Sequence, residues 1–148
     1  METAHFSQNF QRLFLWSLQF LGVPPILLIT AICLVGVVVA FVRQQPFQQR
    51  LWRPSYWLIF SQMLFFPAMD AVGVLFPAVS AVRPHPKENV LGHRLLDALF
   101  YLSLAMSAFW VWRMRGLRWF AASLLLLQQV LLIGAGFVAG MSVSGDWL

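Results

Sequence analysis

Apolar residues in this chain gather into four long runs, with arginine at their edges. The first run goes from Pro25 to Val42 and stops at Arg43. The second lies between Arg53 and Arg83. The third, Leu95 to Trp112, sits between Arg94 and Arg113, and the fourth covers about Leu117 to Val138. About 20 consecutive apolar residues make a helix that crosses a hydrocarbon core of about 30 Å. The pattern predicts an all-α integral membrane protein built as a four-transmembrane-helix bundle. It forms one membrane domain over 1–148, with spans at about 25–42, 56–81, 95–112 and 117–138.

The segment ahead of the first run has a different rhythm. In HFSQNFQRLFLWSLQFL (5–21), Phe6, Phe10, Leu13, Phe14 and Leu21 share one helical face, while Gln8, Asn9, Gln11, Arg12 and Gln19 lie elsewhere. This predicts an N-terminal amphipathic helix lying in the membrane interface. The other reading extends the first span back to Leu13. Val23-Pro24-Pro25 argues for a break between the two, because proline suits a first helical turn and keeps the residue before it extended.

The second interval is longer than a span needs. As one helix it would reach about 42 Å at 1.5 Å per residue, so it must tilt, kink or protrude. Pro67 and Pro77 are the expected kink sites. The RMRGLR link between the last two runs is short, which makes those spans antiparallel neighbours. Gly36 with Ala40, and Gly136 with Gly140, are small residues four apart and are candidate helix-packing positions. No internal repeat stands out.

Composition excludes the soluble alternative. The chain is 60% hydrophobic and 10% charged, with a mean hydropathy of +0.75. A soluble domain is about 45–50% apolar and about 25% charged. Four crossings leave no room for a separate soluble domain. The net charge of +5 comes from arginines at the run ends, so lipid headgroups are the expected partner rather than nucleic acid. Arg43, Arg50, Arg53, Arg113, Arg115 and Arg118 fall on one side. Arg12, Arg83, Lys87 and Arg94 fall on the other. The excess predicts cytoplasmic loops one and three and non-cytoplasmic termini, in a bacterial inner or plasma membrane. No cleavable signal peptide is evident. Trp52, Tyr56-Trp57, the FWVW run at 109–112 and Trp119-Phe120 cluster near span ends, as interfacial aromatic belts do.

Few residues could carry chemistry. Asp70 stands in FFPAMDAVGVLFPAV (65–79), inside the second run. A central acid costs about 2.5–3.5 kcal/mol on insertion, which about ten large apolar neighbours offset at about 0.3–0.6 kcal/mol each. An ionisable group placed there is a candidate functional site by default. Substrate or ion contact is therefore assigned to Asp70, with Gln62, Tyr101, Gln128 and Gln129 as the surrounding polar set. Two structural roles compete. If the helix breaks at Pro67, Asp70 falls in the first turn of a restarted helix, where the dipole favours a carboxylate. Alternatively it hydrogen-bonds Gln128 or Gln129 as interhelical glue. Asp97, Tyr101, Ala105 and Ala108 form one stripe of the third span, expected to face the bundle, with Asp97 near a helix start.

The remaining chemistry is defined by absences. His85, Glu88, His93 and Asp97 match no metal signature, and no metal or cofactor is expected. No histidine stands inside a span, which argues against a transmembrane haem. The lone Cys33 excludes an intrachain disulfide. No nucleophile elbow, zinc-protease or phosphate-loop motif occurs. The favoured expectation is a non-enzymatic accessory or structural subunit of a membrane complex, meeting other membrane subunits or itself. A small transporter centred on Asp70 is the alternative. A membrane enzyme acting on a lipid or quinone through Asp70, Asp97 and Tyr101 is a third.

Overall fold

The computed structural model describes residues 2–43, 58–78 and 89–145, and every regular element among them is helical. The loop arginines Arg50 and Arg53, Trp52, the Tyr56-Trp57 pair, His85, Lys87 and Glu88 lie outside the described residues. Helix α1 is Glu2–Gln19, followed by a 3-10 turn, Phe20–Gly22. Val23 is extended, and α2 (Pro24–Arg43) begins with both prolines in its first turn. Their missing N–H groups cost nothing there. A 3-10 segment, Leu58–Leu64, runs directly into α3, Phe65–Leu75. Helices α4 (Val90–Arg113) and α5 (Arg118–Ser144) complete the chain of elements. Four segments are long and apolar enough to cross a membrane: α2, Leu58–Leu75, α4 and α5.

The winding change in the second segment has a local cause. Pro67 offers no N–H, so a carbonyl one turn earlier loses its helical donor. The chain ahead of it adopts the tighter 3-10 winding over a length unusual for that form. Leu64, at the junction, is itself helical (φ −69°, ψ −21°). The break at Pro67 on which the restarted-helix alternative depends is therefore absent, and one helical path bearing two windings runs through it.

Helix α5 is the hub and touches α1, α2, α3 and α4. Specific contacts fix the directions. Gln62, Met69 and Gly73 meet Gln128, Gly136 and Ala139 in turn, so α3 runs parallel to α5. Phe20 packs on Gly134 and Gly36 on Ser123, so α1 and α2 run the other way, one after the other along the same partner. The α4–α5 link turns through Gly116, whose φ of 93° suits glycine. Gly145, at φ 82°, ends α5 in the left-handed conformation.

The start of α4 is capped. Asn89 Oδ1 accepts from the Gly92 N–H at 3.2 Å, and Asn89 N–H donates to the Val143 carbonyl at 3.1 Å. The helix accordingly begins ahead of the apolar run expected from Leu95. Asn89→Ala should lower stability by about 1 kcal/mol, read as a lower melting temperature in detergent.

Helix α1 packs part of its apolar face against the bundle. Leu13 and Ser17 are buried, Phe14 meets Phe66 edge-on at 5.0 Å, and Phe20 stacks on Phe137 at 5.7 Å. A helix lying flat in an interface keeps its apolar face for lipid. Here that face, from Leu13 onward, lies lengthwise against α3 and α5. Phe6 and Phe10 continue it as a ladder, each ring about 6 Å from the next (6.1 and 6.0 Å). The alternative that extends the first span back to Leu13 does not form as one helix, because Val23 is extended between α1 and α2.

Candidate functional site

A polar layer crosses the bundle at mid-height. On α5, Gln128 and Gln129 stand between two apolar clusters, one reaching Leu125 and the other starting at Leu132. Ser103 and Ser107 project from α4 one turn apart, and Gln62 comes from the 3-10 segment. Gln129 Nε2 donates to Ser107 Oγ at 3.0 Å and to Ser103 Oγ at 3.2 Å. Ser107 Oγ donates to Gln62 Oε1 at 3.1 Å, and Gln128 Nε2 donates to the Gln62 backbone carbonyl. Three elements are thus tied at one level by side chains long enough to reach across. Gln62 and Gln128 are fully buried. Among the described residues, Gln62 Nε2 and Gln128 Oε1 lack a partner.

Asp70 lies in the second turn of α3, at 0% exposure, between α1 and α5. Ser17 Oγ donates to its Oδ1 at 2.9 Å. Its Oδ2 has no partner among the described residues. The helix N-terminal role does not apply, because dipole charge resides on first-turn N–H groups and α3 continues an earlier helical segment. The glue to Gln128 or Gln129 is also replaced, since those amides bond Gln62 and the serines.

One turn beyond Asp70, Gly73 lets α3 and α5 touch. A Cβ there would come within 2.9 Å of Ala139 Cα. Ser142 Oγ donates to the Gly73 carbonyl at 2.8 Å. A cavity of about 370 Å³ opens beside this contact, lined by Arg12, Asn9, Trp16, Gly73, Pro77 and Ser142. Asp70 sits a turn behind its wall.

No protein family matches this chain, and no curated protein or solved structure matches it either. The reading of the site therefore rests on its geometry.

Tyr101 is 69% exposed and points away from the bundle. Asp97, Ala105 and Ala108 are exposed beside it, so the stripe expected to face inward faces outward. The inward stripe of α4 is Gly92, Leu96, Ser103, Ser107 and Trp110, chosen by the glutamines that bond its serines. Gly36 meets Ser123 and Ala40 is buried near Phe120. A Cβ on Gly140 would meet nothing within 4 Å, and one on Gly136 only the Met69 sulfur at 3.7 Å. Those two glycines border an open groove that Asp97 and Arg94 also line. The closest backbone approach is at Gly73. No cluster of three metal-ligating side chains occurs among the described residues.

Sequence reasoning missed Ser17 and Ser142. Ser17 had a signal: it falls on the Phe10–Leu13–Phe14 face of α1, four residues after Leu13. A polar residue on an apolar face asks for a buried partner. Ser142 follows GAGFVAG beyond the predicted end of the last span, and nothing in its neighbourhood marks it.

Proposed function

We propose that the chain inserts through its four apolar segments and serves as a non-enzymatic accessory or structural subunit of a membrane complex. The observation supporting this is the outer face of α4. There Asp97, Tyr101, Ala105 and Ala108 stand exposed where a lipid-facing helix would carry large apolar side chains. Inside, the polar groups mostly bond one another across helices, which is the work of structural glue. The four segments lie within one bundle, with the start of α1 and the end of α5 toward the same end of it. The first half of α1 then lies at headgroup level while its second half follows α3 inward.

A photo-crosslinking residue at Tyr101 tests the interface. Protein adducts are expected. Adducts to lipid alone, with the protein at normal levels, would overturn the subunit reading.

A second reading is supported by a different observation, the unpartnered Oδ2 of fully buried Asp70. It makes the chain a small carrier in which Asp70 contacts an ion or substrate entering through the cavity beside Gly73. It expects Asp70→Asn to abolish a solute-linked phenotype at unchanged membrane levels. An unaltered phenotype would sink it.

A further inference from the structure

The outward face of α4 carries a repeating spacing. Val90, Arg94, Asp97, Tyr101, Ala105, Ala108 and Trp112 follow one another at steps of four, three and four, twice over, and all are exposed. Steps of that kind average close to the 3.6 residues of a straight helix, so the set stays on one line from end to end. The line has an order. Arg94 and Asp97 occupy one end, Tyr101 follows, and two alanines lie beyond it. Neither Arg94 nor Asp97 has an ion pair among the described residues.

We propose that this line is the seat of a second copy of the same chain, α4 packing parallel against its counterpart about a two-fold axis. The inference rests on reading the α4 stripe as a protein interface, and it names the occupant. Charge order is the reason for choosing a second copy. In a parallel two-fold pair, equal residues face each other and residues three apart lie about 4.5 Å apart along the axis. Arg94 of each copy then reaches Asp97 of the other, forming two reciprocal pairs from one sequence, as a self-complementary interface requires. Ala105 and Ala108 let the backbones approach closely beyond Tyr101. The axis runs along the helices, so both copies keep the same orientation in the bilayer. An antiparallel pairing would need opposite insertions.

The test is disulfide trapping in native membranes. Ala105→Cys is placed in a Cys33→Ala background, which leaves one thiol. Mild oxidation should give a dimer. Asp97→Arg alone, or Arg94→Asp alone, sets like charges against each other and should remove most of it. The exchanged pair, R94D with D97R, should restore it. Absence of dimer in the single-thiol protein at normal membrane levels overturns the proposal. So does a dimer indifferent to the single charge changes. A Tyr101 photo-adduct to a different protein in place of a second copy overturns it too, while leaving the subunit reading standing.

Discussion

Gly73→Leu should strip the protein of its folded state, seen as loss of the monodisperse species in detergent and collapse of its melting transition. The side chain would be driven into Ala139, whose Cα would lie 2.9 Å and Cβ 3.0 Å from a Cβ at Gly73. A flexible neighbour could swing aside, but a backbone atom can move only with its helix. Overpacking of this kind costs about 1–3 kcal/mol and occasionally more. Here it also separates Ser142 Oγ from the Gly73 carbonyl. Gly73→Ala sets two effects against each other: about 1 kcal/mol gained from helix propensity and the clash with Ala139. The contact distance decides for the clash, so alanine should also destabilise. Gly140→Ala is the matched control. Its side chain meets open space, and stability should hold or rise. A Gly73→Ala protein as stable as its parent would mean that α3 and α5 are not closely packed.

Asp70→Leu should raise the melting temperature. Burying the acid costs about 2.5–3.5 kcal/mol on insertion scales, and a single hydroxyl, Ser17, answers one of its oxygens. Leucine removes the orphaned oxygen. The freed Ser17 hydroxyl can turn back to its own helix carbonyls at small cost. A gain of about 1–3 kcal/mol is expected after that loss. Asp70→Asn keeps the shape and should gain less, since its amide inherits the unpartnered position. A fall in stability for both variants would make Asp70 a structural tie after all. A rise, with a phenotype lost, is what a group retained for contact with something else produces.

The number and nature of the elements were legible because they follow from lengths of apolar sequence. α2 is framed by Pro24 and Arg43, punctuation that local chemistry writes plainly. The choice of face was not legible. On α4 the serines and the Asp97–Tyr101 stripe are both polar enough to claim the interior. Gln62, Gln128 and Gln129 decide for the serines, and they belong to distant parts of the chain. The same limit applies to Asp70. Its partner lies on a helix that amphipathicity alone placed in the interface, and an apolar face does not say whether lipid or protein covers it. GAGFVAG shows the limit in glycines: Gly136 and Gly140 have the spacing of a packing face, yet close approach falls to Gly73 and Gly134, where Ala139 and Phe20 arrive.

The hub position of α5 also orders events during synthesis. α5 is the last described helix to leave the ribosome, and α1 through α4 all touch it. Until it arrives, α2 has almost nothing to hold: in the finished bundle only Cys33 and Ala40 of that helix are buried. If the chain inserts as proposed, α2 enters lipid first and waits there unpaired, which its almost wholly apolar sequence permits. Before α5 arrives, Ser107 can bond Gln62, and Ser17 can bond Asp70. The Gln62 carbonyl and the second bond of Ser107 wait for the amides of α5. A nascent chain stopped before Arg118 should therefore be inserted but only partly assembled, with α2 still unpaired.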